Sequence, residues 1–166
     1  TGAQDLVTGV SAGHGIALDL PNNHMYWMEN TAGKIRRANL DGSSPTDIIA
    51  GVTDGRHIAL DLVNNHIYWQ EYNAAGGGKI RRANLDGSSP TDIITGVFRG
   101  FGVALDLTNN HIYWNDHNVR QSLIRRANLD GSGVTTHITL CLDFCVTYDI
   151  QLDLTNNHIY WIQPIS

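Results

Sequence analysis

The sequence lacks any apolar run close to the length of about 20 residues that a membrane-spanning helix needs. It also lacks a basic excess, because 11 Lys and Arg residues stand against 16 Asp and Glu residues and give a formal net charge of −5. A strongly basic surface is the usual mark of a nucleic-acid-binding protein. The sequence therefore predicts neither membrane insertion nor nucleic-acid binding, and 166 residues with 42% hydrophobic side chains predict about one globular domain.

Motifs that are typical of enzymes are absent as well. The sequence contains no Gly-x-Ser-x-Gly nucleophile turn, no His-Glu-x-x-His zinc motif and no phosphate-binding glycine loop. No nucleophile stands beside an evident general base. We therefore predict a non-catalytic protein without a cofactor or a metal site, although a fold can assemble an active site from residues that are far apart in the sequence.

Cysteine is scarce, since only Cys141 and Cys145 are present. An extended segment would hold these two residues about 13 Å apart, which is too far for a disulfide, whereas a looped connector would bring them together. An extracellular setting would oxidise two cysteines held in such a loop, and we predict a local disulfide between them. A metal site made with His137 is disfavoured, because the sequence offers neither a Cys-x-x-Cys pair nor a fourth ligand.

What the sequence does have is one ten-residue pattern in four copies, at 18–27, 60–69, 105–114 and 152–161. Each copy holds an alternating apolar run, an Asn-Asn pair and a second run that contains Tyr-Trp. This pattern predicts a β-hairpin, because Asn tolerates the positive φ of tight turns. Side chains alternate along a strand, so the Tyr and the Trp point to opposite faces and both faces need to be covered.

The segments that follow the first hairpin, 34–40 and 46–49, predict a third and a fourth strand on either side of an Asp-Gly turn. Four short antiparallel strands in a repeat of 42 to 47 residues are typical of a β-propeller blade. We therefore predict an all-β propeller of about four blades that forms a single domain over residues 1–166. The repeats are expected at about 11–52, 53–97, 98–140 and 148–166, and the last one is partial.

The order Leu-Asp, Tyr-Trp and Ile-x-Arg-Ala-Asn-Leu-Asp-Gly resembles the YWTD (LDL-receptor class B) repeats of the low-density-lipoprotein-receptor family over nearly the whole chain. The resemblance implies an extracellular, non-catalytic propeller that binds other macromolecules, usually with six blades. Two departures stand out. The acidic residue of the motif is Glu29, Glu71 and Asp116, but Gln163 in the last copy, and the Thr before it is absent. Four hairpin units also cannot close a six-bladed ring within one chain.

The two ends of the sequence predict how the ring closes. Residues 5–10 align with 92–97 and therefore read as a fourth strand, which we expect to complete the last, two-stranded blade. That blade lacks the Ile-Arg-Arg-Ala-Asn strand, so its open edge invites another strand. Either the last blade has three strands, or a partner chain fills it, which includes a homodimer through the incomplete last blade.

Three further sets of repeated polar residues have structural interpretations. One aspartate per repeat is expected to accept backbone hydrogen bonds from a neighbouring blade, as the resemblance implies, and a cation site in the channel is the alternative. The second arginine of each Arg-Arg pair is expected to pair with Glu29, Glu71 or Asp116, and the histidine after each Asn-Asn turn is expected at the surface. These residues are Asp19, Asp61, Asp106 and Asp153; Arg37, Arg82 and Arg126; and His24, His66, His111 and His158.

Residues 34–49 are identical to residues 79–94 at all 16 positions. Core packing does not demand identity at exposed polar positions, whereas a small site repeated on each blade would, as in multivalent lectins. Recent duplication is the alternative explanation. We predict a repeated carbohydrate or glycoprotein site at Arg36, Asn39, Ser43, Arg81, Asn84, Ser88, Arg125 and Asn128.

The loops between blades, and those after each Trp, share one rim and differ among the repeats. Variable loops with aromatic and charged residues on a rigid scaffold are frequent binding sites, and solvated connectors are the equally weighted alternative. The second functional hypothesis is therefore a secreted protein–protein interaction module. Its predicted rim residues are His14, Arg56, His57, Tyr72, Arg99, Phe101, His117 and Tyr148.

Overall fold

A computed structural model describes residues 2–73, 77–117, 120–142 and 146–163. Within these residues the chain forms three four-stranded sheets and one two-stranded sheet, and within each sheet consecutive strands pair antiparallel. The all-β fold and the repetition of a blade-like unit, both predicted from the sequence, are confirmed. Within the described ranges there is no helix of the length and apolarity that a membrane crossing requires.

Each sheet is one blade, and its strands follow the chain outward from a common axis. Blade 1 contains β1 (Gly13–Asp19), β2 (His24–Glu29), β3 (Lys34–Asn39) and β4 (Thr46–Ala50). Blade 2 contains β5 (Gly55–Asp61), β6 (His66–Glu71), β7 (Gly78–Asn84) and β8 (Thr91–Val97). Blade 3 contains β9 (Val103–Asp106), β10 (His111–His117), β11 (Gln121–Asn128) and β12 (Thr135–Leu142), and blade 4 contains β13 (Ile150–Asp153) and β14 (His158–Trp161).

The Asn-Asn turn joins the first two strands of every blade. Its second residue has a positive φ in each copy, for example 59° at Asn23 and 62° at Asn65, which is why Asn serves there. The aspartate before the turn caps it, since the Asp19 carboxylate accepts hydrogen bonds from both the backbone and the side-chain nitrogen of Asn22. The same bonds recur at Asp61, Asp106 and Asp153. The expectation that these aspartates bond to a neighbouring blade was therefore wrong.

Successive blades pack through two different faces, here called the Tyr face and the Trp face after the aromatic residue of the second strand. Tyr26, on the Tyr face of blade 1, packs with Trp69, on the Trp face of blade 2. Tyr68 and Trp114 repeat this arrangement between blades 2 and 3. Because neighbouring side chains on a strand point to opposite faces, each Tyr-Trp dipeptide serves two interfaces at once. This is the core of the molecule.

The innermost strands lie side by side in the order β1, β5, β9 and β13. They enclose a groove of about 300 Å³ on the axis, which is lined by apolar residues such as Ile58, Val103 and Ile150 and also by Gln151. The strands therefore arrange four sheets radially, as in a propeller, with three complete blades and a two-stranded fourth.

The N-terminal segment lies against blade 1. The carbonyl of Leu6 lies against Gly42, and Val7 packs on Met25 and Trp27, all in blade 1. Ile48 and Ile93 occupy the same position against Gly87 and Gly131 of the following blades. The segment therefore takes the place of a fourth strand before blade 1, which is the position of a closing strand, but among the described residues it does not pair with β13–β14, which form a sheet of two strands. It packs there because the Trp face of blade 1 is apolar and otherwise open.

Candidate functional site

Two arginines and two aromatic rings meet on the rim of blades 2 and 3. Arg56 belongs to β5, Tyr72 follows β6, and Arg99 and Phe101 lie in the connector between β8 and β9. The guanidinium carbon of Arg56 lies 6.0 Å from the Tyr72 ring centre and 5.3 Å from that of Phe101. The corresponding distances from Arg99 are 5.6 and 5.3 Å. Both cations are therefore within cation–π range of both rings, and we call these four residues the rim cluster.

The connector before blade 4 extends the rim cluster. The ring centres of Phe101 and Tyr148 are 5.1 Å apart, and Tyr148 is 44% exposed. Beside them, His57 Nε2 lies 3.3 Å from Asp149 Oδ1, and the same oxygen accepts a hydrogen bond from the backbone nitrogen of Ile150. Six of the eight rim residues predicted from the sequence, with His57 among them, thus converge on one surface.

The two arginines of the rim cluster differ in their ionic partners. Arg56 is paired with Asp54, at 2.8 Å, and Asp54 is itself held by the side-chain amide of Asn30. Arg99 is exposed, and among the described residues no carboxylate lies within ion-pair distance of it. Arg99 is held instead through its backbone, which pairs with that of His117. The described part of the rim therefore presents a cation that is oriented by aromatic rings and has no carboxylate partner within that part.

The pKa values of two nearby histidines reflect this environment. Burial lowers the pKa of His57, while the charge of Asp149 acts in the opposite direction. Burial also lowers the pKa of His117, and the positive charge of Arg99 lowers it further. Both rings are thus neutral at physiological pH, and the positive charge of this surface comes from the arginines.

Buried amides support the connector that carries Arg99. Gly100 lies against the side chain of Gln70, and Gly102 lies against that of Asn115, so closely that a Cβ atom at either position would collide with it. The Asn115 side chain also donates a hydrogen bond to Thr147, at 2.9 Å. The two glycines therefore allow the connector to lie directly on the side chains of Gln70 and Asn115. This contact fixes the backbone on both sides of Phe101.

Two of the predicted rim residues lie apart from the cluster, and two contributors were not predicted. His14 lines a different pocket, against the N-terminal segment, and His117 contacts the cluster through its backbone. Asp54 and Asp149 were missed as partners of Arg56 and His57. Asp54 lies in the bend before β5, with a φ of 44°, and stands two residues before Arg56, so its closeness in the sequence was the available signal.

The first arginine of the Arg-Arg pair forms a cluster on the Trp face of each complete blade. Arg36 stacks over Trp27, with 5.5 Å between its guanidinium carbon and the ring centre, and pairs with Glu29 at 3.1 Å and Asp47 at 2.8 Å. Arg81 and Arg125 make the matching contacts with Glu71 and Asp116. The expectation that the second arginine makes these pairs was wrong, because that side chain projects from the other face.

The second arginine contacts the tyrosine of its own blade instead. Arg37 hydrogen-bonds to Tyr26, and burial of that phenol raises its pKa while the bond to Arg37 opposes the rise. The Arg37 charge also lowers the pKa of Asp86 in the next blade, as Arg82 does for Asp130, although both shifts come mainly from hydrogen bonds that the aspartates accept from Ser88 and Ser132. These arginines therefore contribute to contacts between blades.

The remaining residues of the predicted carbohydrate site lie at the end of the third strand and in the turn that follows it. Asn39 donates a hydrogen bond of 2.8 Å to Ser43, and Ser43 donates one of 2.6 Å to Asp41. The same bonds recur in the other complete blades, at Asn84, Ser88 and Asp86 and at Asn128, Ser132 and Asp130. Arg36 and Asn39 thus belong to separate clusters on one strand, and both already have partners within the chain.

The four repeated histidines each stand edge-on to the tyrosine two residues later. His24 and Tyr26, for example, have ring centres 6.3 Å apart and an interplanar angle of 86°. Among the described residues no group of three or more His, Cys, Asp or Glu side chains is placed to hold a metal ion. The predicted disulfide involves Cys145, which lies outside the described residues, and it stays a prediction.

Comparison with solved structures identifies the class of fold. A chain in the crystal structure of a nidogen/laminin complex aligns with 92% of this sequence and 57% of its own length, at 24% identity and a TM-score of 0.82. An auxiliary nutrient binding protein from Bacteroides thetaiotaomicron aligns with 89% of this sequence and 35% of its own, at 16% identity and a TM-score of 0.73. A gluconolactonase from Xanthomonas campestris aligns with 77% of this sequence and 47% of its own, at 12% identity and a TM-score of 0.61.

The fold is therefore a β-propeller, as the sequence predicted. The chain spans a little over half the length of the nidogen/laminin chain that it matches, at 57%. No protein-family model and no curated protein matches the sequence. Binding proteins and an enzyme both appear among the similar structures, so the fold by itself does not decide between binding and catalysis.

Proposed function

We propose that this chain is a secreted, non-catalytic propeller that binds a protein partner through the rim cluster. The observation that carries the proposal is the state of Arg99, an exposed cation held between the rings of Tyr72 and Phe101 without a carboxylate partner among the described residues. Arginine and tyrosine are enriched among the residues that dominate the energy of protein interfaces. A surface of this composition suits binding better than proton transfer.

The chemistry of the rim cluster selects an acidic segment of the partner. The aromatic rings restrict the rotamers of Arg99, so that little further conformational entropy is lost when a carboxylate binds. The exposed rings of Tyr148 and Phe98, at 44% and 43%, add apolar area beside the cation. A loop that carries Asp or Glu next to an apolar side chain therefore fits this rim best.

The comparisons support a binding role but do not indicate what is bound. The nidogen/laminin structure is a complex of two proteins, and the Bacteroides thetaiotaomicron protein is described as nutrient binding. The resemblance to YWTD repeats is what supports the proposed extracellular location. Neither comparison identifies the partner, so the test uses a defined acidic peptide.

The test measures the binding of a fluorescent hexaglutamate peptide to the wild type and to Arg99→Ala, by fluorescence anisotropy at low salt. We expect the substitution to weaken binding about tenfold or more, because a charge-assisted hydrogen bond contributes about 1.5–3 kcal/mol. Arg99→Lys keeps the charge but loses the planar stacking and should give an intermediate affinity. Lys79→Ala, which removes one positive charge that is paired with Asp92 and does not belong to the rim cluster, is the control.

If Arg99→Ala and Lys79→Ala weaken the binding of hexaglutamate equally, attraction is due to net charge and the rim cluster is not a site. A hexaglutamine peptide that binds the wild type as well as hexaglutamate does would exclude recognition of a carboxylate.

A repeated carbohydrate site is the second candidate, and the identity of residues 34–49 with 79–94 is what favours it. Its weakness is that Arg36, Asn39 and Ser43 already have partners within the blade. A glycan array followed by calorimetry separates the candidates. Several identical sugars bound per chain would support a multivalent lectin, whereas no binding across the array would leave the protein partner as the function.

A further inference from the structure

The two outermost blade faces expose apolar residues that are buried in every other blade. On the Trp face of blade 1, Ile16 is 65% exposed, whereas its counterparts Ile58, Val103 and Ile150 are 2%, 1% and 0% exposed. On the Tyr face of blade 4, Tyr160 is 57% exposed, although Tyr26 and Tyr68 are both 1% exposed. These two faces are therefore the ones that lack a neighbouring blade within the described chain.

The interfaces inside the molecule show which surface each of these faces accepts. In each of them, the Tyr face of one blade packs on the Trp face of the next, and an aromatic ring lies among branched aliphatic side chains. Between blades 1 and 2, for instance, Tyr26 belongs to a cluster with Ile58 and Ile67. The free Tyr face of blade 4 and the free Trp face of blade 1 are the two halves of one more interface of this kind.

The free Trp face of blade 1 also contains a cavity for the incoming ring. A pocket of about 530 Å³ opens between the N-terminal segment and β1–β2, and it is lined mainly by apolar residues, which include Val7, Val10, Gly13, Ile16, Met25 and Trp27. Ile16 and Met25 correspond to Ile58 and Ile67, which contact Tyr26 between blades 1 and 2. Val7 corresponds to Ile49, so the N-terminal segment already supplies the outer wall of this interface.

We infer that two copies of this chain associate head to tail. Tyr160 and Ile162 of one copy would pack into the pocket on the Trp face of blade 1 of the other, which Ile16 lines and which is here called the Ile16 pocket. The second copy is the occupant that the structure favours, because its free face repeats the surface that packs on the Trp face at the interfaces inside the molecule. The contact joins two different patches, so it is heterologous. In it, β13 and β14 of one copy and the N-terminal segment of the other contribute to a shared blade. This inference does not depend on the rim cluster.

Sedimentation velocity over micromolar to millimolar concentrations tests the association of the purified chain. We expect self-association of the wild type, and a rise of about tenfold or more in its dissociation constant for Ile16→Asp and for Tyr160→Asp, because each places a charge in a desolvated contact. Leu20→Asp is the matched control. Leu20 is 65% exposed, but its counterparts Leu62, Leu107 and Leu154 stay exposed in other blades, at 39%, 36% and 48%.

Mixing the two variants tests the head-to-tail geometry itself. Ile16→Asp retains an intact Tyr160 face, and Tyr160→Asp retains an intact Ile16 pocket, so the mixture should form a dimer that neither variant forms alone. Because both positions are exposed, we expect both variants to fold, and circular dichroism checks this. A wild type that stays monomeric throughout, a mixture that stays monomeric, or a loss of association in Leu20→Asp equal to that in Ile16→Asp would each overturn the inference.

Discussion

At the scale of single residues, the acid that follows the Tyr-Trp pair of a complete blade decides whether the indole nitrogen has a hydrogen-bond partner. Trp27 and Trp69 donate hydrogen bonds to Glu29 and Glu71, at 3.0 and 2.8 Å. In blade 3 the acid is Asp116, whose shorter side chain bonds to the backbone of Phe98, and the Trp114 nitrogen has no partner among the described residues. The glutamate therefore links the core to the arginine of the same blade, and the aspartate links the blade to the rim connector.

This difference predicts the effect of Glu71→Asp, which gives blade 2 the acid of blade 3. The shortened carboxylate should lose the bond from Trp69, which is 0% exposed, and an unsatisfied buried donor costs about 1–3 kcal/mol. We therefore expect the free energy of unfolding in urea, followed by circular dichroism, to fall by that amount.

The control is the same substitution in a Trp69→Phe background, where no indole donor remains. There the cost of Glu71→Asp should shrink to that of the altered pair with Arg81. If the substitution costs the same in both backgrounds, the bond between Trp69 and Glu71 does not contribute to stability.

At the scale of the element, the Asp-Gly turn of each blade docks on the fourth strand of the blade before it. Gly87 has a φ of +86°, and a Cβ atom there would collide with the carbonyl oxygen of Ile48. Gly42 and Gly131 repeat this contact with Leu6 and Ile93. The turn thus needs glycine for two reasons, its left-handed conformation and its approach to the neighbouring backbone.

Gly87→Ala should therefore destabilise the protein by more than the conformational cost of about 1–2 kcal/mol. Gly96→Ala is the matched control, because Gly96 also has a positive φ, of 72°, but no atom lies within 4 Å of the site of its Cβ. We expect the midpoint of thermal unfolding to fall further for Gly87→Ala than for Gly96→Ala. Equal shifts would mean that the contact between the turn and the preceding blade adds nothing to stability.

The elements themselves could be predicted well from the sequence, because their signals are local. Alternating apolar runs, Asn-Asn and Asp-Gly turns specify each hairpin, and the opposite faces of Tyr26 and Trp27 follow from the period of a strand. The pairing of Arg36 instead of Arg37 with Glu29 could have followed from the same period. In the register of β2 with β3, Arg36 lies opposite Trp27, which shares a face with Glu29.

At the scale of the whole molecule, the sequence could not decide how the repeats meet. The N-terminal segment matches a fourth strand equally well before blade 1 and in the last blade, and only packing places Val7 on Met25 and Trp27. The rim cluster was predicted only as a set of loops on one rim. Its contacts depend on the distance between connectors of different blades, such as those that carry Arg56 and Arg99, and no local pattern encodes that distance.

The pH dependence of stability is also a property of the whole molecule, because two classes of group contribute to it. Burial lowers the pKa of four histidines below the usual 6.5, so that the unfolded chain binds protons more readily than the folded one near that pH. These residues are His57, His66, His117 and His137. Their contribution is complete above pH 6.5 and is lost as the pH falls towards their folded pKa values.

The carboxylates act in a second, more acidic range. Hydrogen bonds from serine hydroxyls and backbone nitrogens lower the pKa of Asp41, Asp86 and Asp130 below 3.8, and ion pairs with Lys34 and Lys79 do the same for Asp47 and Asp92. Their stabilising contribution is complete above their unfolded pKa values and is lost as the pH falls through the folded ones. Stability should thus decrease in two stages, below about pH 6.5 and again below about pH 4.

We therefore expect the thermal midpoint, measured by circular dichroism between about pH 8 and pH 3, to be highest near neutral pH and to fall in these two stages. His57→Gln removes a buried histidine and should make the first stage shallower, whereas His158→Gln, at an exposed position, should leave it unchanged. A midpoint that rises between pH 7 and pH 5 would show that the protonated histidines stabilise the fold, contrary to this account.

The His57 variant matters most for the rim, since protonation of His57 beside Arg56 would add positive charge next to the rim cluster. The same titration followed by hexaglutamate binding should then show tighter binding as the pH falls below 6.5 while the fold persists, because protonation of His57 and His117 increases the charge around Arg99.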